Sequence, residues 1–190
     1  LSIRRQRQMC IRDRTFIYAI KLAIALVFIV GAIQKLKDID TFQATVEAYD
    51  LLPQFLVTGF SITLPLVELV TACLLLFDLS QGLYGLILAI LVLSITTTGI
   101  ITNLLRGNLD VSCGCGGLED EAPLSWGLVG RNLIILVMLL ACFSPSDLRP
   151  LALFDTLTII GGSLSVYFLY TITSQLIANH PKLIKLRESL

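Results

Sequence analysis

An all-helical membrane bundle is the fold this sequence predicts, and three observations predict it. The chain is 55% hydrophobic and only 15% charged, with a mean hydropathy of +0.84. That balance is too apolar for a soluble domain of 190 residues. Its apolar residues fall in runs of roughly 20, the length a helix needs to cross about 30 Å of hydrocarbon. The runs are separated by short polar connections.

Taken in order, Phe16–Ile33 reads as the first span, with Lys21 one turn in and placed to snorkel. A polar stretch from Gln34 to Gln54 follows. Phe55–Phe77 is the second span and carries Pro65 and Glu68. After a tight connection at Asp78 to Gly82, Tyr84–Leu105 forms the third, closing on Asn103 and Arg106. Ser125–Phe143 is the fourth, with Arg131 and Asn132 in its first two turns. Thr156–Ala178 reads as a fifth, richer in Gly, Ser and Thr, ahead of a basic tail. Short links favour antiparallel neighbours, so spans one to four make a compact bundle. The fifth is expected to pack outside it through Gly161, Gly162, Ser163 and Ser165, where small residues let backbones approach. Three regions result: a leader at 1–14, a membrane domain at 15–143, and an added helix and tail at 144–190. The leader carries five arginines and Cys10. Its RQRQMCIRDR run resembles translated adapter sequence at the ends of gene models, and no function is read from it.

Composition excludes several functions. Net charge is zero, which leaves no basic footprint for nucleic acid. No phosphate-binding glycine loop, HExxH or GxSxG motif occurs. The lone histidine, His180, lies beside Pro181 near the end of the chain.

The chemistry concentrates in one connection. Cys113-Gly114-Cys115-Gly116-Gly117 lies in the polar loop from Gly107 to Pro123, beside an acidic run at Glu119 to Glu121. Two thiols one residue apart form a tight bridge, and a strained, exposed disulfide exchanges faster and is more oxidising than a relaxed one. The pair therefore suggests thiol–disulfide chemistry. Two other readings stand beside it. One is a non-enzymatic scaffold whose cysteines stabilise a loop; the other is soft-metal binding by two thiolates, which lacks nearby His or Met ligands. Cys73 and Cys142 fall in apolar segments, where a reduced thiol packs as a small hydrophobe. They lie about 27 Å from the loop pair at 1.5 Å per helical residue, too far for direct exchange. Electrons would need another carrier, a soluble thiol protein or a membrane quinone.

Glu68 is the one acid deep in a span, so it must be neutral or paired. Arg131 is the expected partner. Lys35, Asn103, Arg106 and Asn132 gather toward the same end. These groups either hold the bundle in register or form a polar pocket that binds a quinone headgroup or relays protons. Cationic groups near the loop would also favour the thiolate, with Cys113 nearer Arg106 in sequence.

These residues also carry a family resemblance. Gln34-Lys35-Leu36 with Asp38 and Phe42, Tyr49-Asp50-Leu51-Leu52-Pro53, and Leu64-Pro65-Leu66-Val67-Glu68-Leu69 appear in order. Asn103, Arg106-Gly107, Asp110, the Cys113–Gly117 run and Arg131-Asn132 follow. The set resembles the MauE family of the DoxX-like group, over about residues 16 to 143. The resemblance implies a four-span inner-membrane protein linked to maturation of methylamine dehydrogenase. It also implies a thioredoxin-like partner, MauD, and a cysteine-rich exported client. Gly116 departs from the aromatic residue many relatives carry there, and the fifth hydrophobic segment extends past the family core.

Sidedness pulls two ways. Lys35, Lys37 and Arg106 share the cysteine side with Lys182, Lys185 and Arg187, against Lys21 and Arg149 opposite. The positive-inside rule alone would put the pair in the cytoplasm. Disulfides persist in oxidising compartments, which favours the outer side. The expectation is a bacterial inner-membrane protein with its cysteines facing outward.

Overall fold

The computed structural model describes residues 2–77, 83–108, 111, 124–143 and 153–188, with side chains described for 14–77, 83–108, 111, 124–143 and 153–180. Six helices account for nearly all of it: α1 Ser2–Lys37, α2 Ile39–Ala48, α3 Gln54–Phe77, α4 Leu83–Arg106, α5 Trp126–Ala141 and α6 Leu153–Glu188. The predicted membrane bundle is what folds. Four helical stretches are long and apolar enough to cross a bilayer: 14–37, 54–77, 83–106 and 153–180. The expected fourth span is shorter than predicted. Helix α5 has 16 residues, about 24 Å at 1.5 Å each, which falls short of a full hydrocarbon thickness.

Helix α2 departs from the predicted polar connection. Asp38 caps it, its side chain accepting from the Thr41 amide at 3.3 Å, so an orphan donor of the first turn is satisfied. Phe42, Thr45 and Val46 form its buried face at helical spacing. It stops at Tyr49, after which Asp50 takes φ +48°, a left-handed conformation that the short polar side chain of Asp tolerates.

α1 is the hub. It packs on α3 and on α6 over most of its length, while α3 packs on α4 and α4 on α5. A thinner contact between α1 and α5 closes the ring, and α1 does not meet α4 across it. The principal core lies among α1, α3, α4 and the end of α5, with Ile24, Phe28, Leu75, Ala89 and Leu139 among its members. Lys21, placed to snorkel by its sequence position, is instead buried within the bundle. Cys142 is buried in this core, as expected, whereas Cys73 is exposed on the outer face of α3.

Two close approaches fix neighbouring helices. A Cβ at Gly85 would meet the Leu74 and Leu75 backbone at 3.1 Å, so α3 and α4 touch there. A Cβ at Gly162 would meet Ala19 Cβ at 3.2 Å, which seats α6 on α1. Ser163 is buried at the same junction, but Ser165 is exposed and Gly161 faces open space. Of the four small residues expected at this junction, Gly162 and Ser163 make it. Gly162→Leu should therefore overpack the α1–α6 junction by about 1–3 kcal/mol. Thermal unfolding in detergent should show a lowered midpoint for Gly162→Leu and an unchanged one for Gly161→Leu.

Candidate functional site

The predicted polar residues resolve into two groups on opposite sides of a cavity and a third at the bundle end. On one side, Lys35 from the last turn of α1 donates through Nζ to Glu68 Oε1 of α3 at 2.5 Å. Both side chains are buried. The Lys35 ammonium also lies 5.5 Å from the centre of the Phe42 ring, so α2 covers the pair with an aromatic face that favours a cation.

Arg131 is therefore not the partner of Glu68. The backbones of α3 and α5 stay apart in the ring, whereas α1 and α3 pack directly. Arg131 is drawn the other way. Its Nη1 donates to Ser174 Oγ of α6 at 2.7 Å, and Nε and Nη2 each lie 3.4 Å from Asn132 Oδ1. Its guanidinium lies 5.1 Å from the centre of the Tyr170 ring. Asn132 Nδ2 in turn donates to Thr97 Oγ1 of α4 at 3.1 Å. Thr97, Asn132, Arg131 and Ser174 thus tie α4, α5 and α6 together. Interhelical hydrogen bonds of this kind are each worth about 0.6 kcal/mol on average in lipid.

Asn103 and Arg106 belong to the bundle end instead. Asn103 is fully buried and donates to the Gly99 carbonyl at 3.2 Å, while its own carbonyl accepts from the Asn108 amide at 3.0 Å. Gly107, at φ +80°, turns the chain out of α4, the left-handed position that glycine fills at helix ends. Arg106 Nη1 donates to the Asp50 carbonyl at 3.1 Å. That bond puts the end of α4 beside the end of α2, so the 35–54 segment and the start of the cysteine connection share one end of the bundle. Val111 and Leu124, on either side of that connection, pack there with Ile100, Leu104 and Leu128. Cys113, Gly114, Cys115, Gly116 and Gly117 lie outside the described residues.

Sequence reasoning missed Thr97, Tyr170 and Ser174 as members of this architecture, and it singled out Tyr49 only as part of the family pattern. The serine and threonine richness of α6 was the available signal for Ser174. Tyr49 caps α2, and its ring sits 3.5 Å from where a Cβ of Gly99 would be. Burial pushes its phenol up to about 12, so it stays protonated where an unfolded tyrosine has begun to ionise. Among the described residues, no cluster of three or more His, Cys, Asp or Glu is placed to hold a metal ion.

The family described as methylamine utilisation protein MauE matches residues 13–144. The chain belongs to the MauE family. Methylamine utilization protein MauE of Paracoccus versutus is 28% identical over 190 residues, covering 92% of this chain and 95% of that protein. The protein of the same name from Methylorubrum extorquens is 32% identical over 133 residues, 70% of this chain and 69% of its own. That from Paracoccus denitrificans is 29% identical over 125 residues, 66% and 67% of the two chains. No solved structure matches significantly.

Two predictions follow from this arrangement. Lys35→Met alone should destabilise the bundle by about 3–5 kcal/mol, because it strands a buried carboxylate. Lys35→Met with Glu68→Leu should recover most of that loss, read as the unfolding midpoint in detergent. Tyr49 bears on alkaline stability. Its folded-state pKa lies above the unfolded value near 10, so its contribution is complete below about pH 10 and lost as pH rises toward 12. Phenolate absorbance titration of the wild type minus Tyr49→Phe should show one group ionising near pH 12, and Tyr49→Phe should flatten the alkaline fall in stability.

Proposed function

We propose that this chain is a membrane component of a methylamine utilisation system and acts there as a thiol–disulfide carrier in oxidative folding. The observation that carries the proposal is the Cys113–Cys115 pair, set in glycines between two helices of a MauE-family membrane bundle. Supporting it, Val111 and Leu124 both pack on the same end of the bundle. The connection thus leaves from and returns to a folded base. The curated relatives are named for methylamine utilisation.

The exchange conserves electrons and protons. A client thiolate attacks one sulfur of the Cys113–Cys115 disulfide, and the other sulfur leaves as a thiolate that takes a proton. The client's second thiolate then attacks the mixed disulfide and frees the first cysteine. The disulfide has moved to the client, and two electrons and two protons have moved to the pair. A thioredoxin-like partner of MauD type reoxidises the pair by the same exchange in reverse. The client is a cysteine-rich exported protein. Gly114, Gly116 and Gly117 carry no side chains to obstruct an approaching partner. The working side is the outer face of the bacterial inner membrane, where disulfides persist.

Cys113→Ser with Cys115→Ser should abolish client oxidation in cells, read by thiol-alkylation gel shift, and leave the unfolding midpoint of the purified bundle within a few degrees of wild type. Impermeant thiol reagents should label the pair in intact cells after mild reduction. Client oxidation that survives in the double variant, or labelling that requires broken membranes, would overturn the proposal.

A further inference from the structure

The ring of helices encloses a cavity of about 820 Å³, within the size range of pockets that bury a small organic ligand. It lies where the α1 and α4 backbones stay apart, and the tyrosines of α6 line another side. Most of its wall is apolar, built by Ile24, Val27, Phe28, Leu64, Val92 and Ile135. Its charged groups stand in two places, Lys35 and Glu68 on α1 and α3 and Arg131 on α5, and hydroxyl residues such as Thr45, Tyr49, Ser94, Thr96 and Thr98 line other parts of it.

One atom here has no partner. Glu68 is 4% exposed, and its Oε2 is buried without a hydrogen bond while Oε1 takes the Lys35 ammonium. A buried acceptor left unsatisfied costs about 1–3 kcal/mol, more when charged. The terminal torsion of a glutamate is broad, so a small rotation brings Oε2 to the cavity that Glu68 lines. What satisfies it must bring a hydrogen-bond donor on an apolar body. Across the cavity Arg131, bonded to Ser174 and Asn132, sets a fixed positive charge that favours an electron-rich oxygen over a second cation.

We propose that the cavity binds a membrane quinol. One ring hydroxyl donates to Glu68 Oε2, the oxygen at the far end of the ring faces Arg131, and the prenyl tail lies along the aliphatic wall. The alternatives fit less well. A phosphodiester headgroup brings acceptors to a carboxylate, and an amine headgroup meets two buried cations. A simple fatty alcohol satisfies Glu68 but brings no second oxygen toward the Arg131 charge. The oxidised quinone has two acceptors and no donor, so it loses the Glu68 contact. The site therefore prefers the reduced form. This inference stands on the cavity and does not depend on the cysteine chemistry.

The test uses the full chain in phosphatidylcholine nanodiscs, titrated calorimetrically with decyl-ubiquinol under anaerobic conditions and separately with decyl-ubiquinone. The quinol should bind at least tenfold more tightly than the quinone. Glu68→Gln should remove that preference. Thr98→Trp, which fills the cavity from α4 and leaves the ion pair intact, should abolish binding of both forms. Cys113→Ser with Cys115→Ser should bind as the wild type does, so failure of the carrier proposal leaves this result untouched. Equal affinity for the two forms, unchanged binding in Thr98→Trp, or organic extracts of the purified protein that yield phospholipid and no quinone would each overturn it.

Discussion

An ammonium and a carboxylate held against each other inside a lipid-embedded bundle set much of this architecture. Either charge alone would cost several kcal/mol within the apolar interior. Lys35 and Glu68 lie 33 residues apart in sequence on different helices, so their bond commits α1 and α3 to being neighbours in one register. Helix α2 follows from the same commitment. The chain must cross the top of the pair between α1 and α3, and a ten-residue amphipathic helix does so while laying Phe42 over the lysine. A straight polar linker would leave the ammonium open to water and weaken its hold on Glu68.

The second polar group works on the other half of the ring. Helix α5 is short, and its contacts with α1 and α6 are sparse beside those it makes with α4. Hydrogen bonds from Asn132 to Thr97 and from Arg131 to Ser174 give it fixed partners on both sides. With α3 bound to α1 and α5 bound to α4 and α6, each half of the ring is held by polar bonds of its own. Those bonds, together with the close approaches at Gly85 and Gly162, set the spacing of the walls around the space between them.

Much of this was legible in the sequence, and the reasons for the rest are physical. Apolar run length fixed α3 and α4 to within a residue or two, since a bilayer leaves a helix few alternatives. Helix α2 was hidden because it is short and mostly polar; its signals were Asp38 ahead of Thr41 and the spacing of Phe42, Thr45 and Val46. That Glu68 needed a cation was clear from its depth, but the choice between Lys35 and Arg131 was not. Depth along a helix says nothing about which helices are adjacent in the ring, and α3 and α5 proved to be separated. Asn103 and Arg106 were grouped with the pocket by that same reliance on depth, whereas Arg106 turns outward to the Asp50 carbonyl. The small residues of α6 show a related limit. Gly161 and Gly162 are equivalent in composition, and only the rotation of the helix about its axis determines that Gly162 meets Ala19.

A rigid base matters to a thiol carrier because the sulfurs must meet partners that differ in shape. Exchange proceeds through a mixed disulfide, which requires the attacked bond to be reachable while the protein bearing it stays folded. At this end of the bundle Ile100, Leu104, Leu124, Leu128 and Val129 form their own apolar cluster, apart from the principal core. Tyr49 and Val111 pack against it from α2 and from the cysteine connection. Under the proposed carrier function, Val111 and Leu124 anchor both ends of the cysteine connection to this cluster, so a partner would meet the thiols beside a folded base.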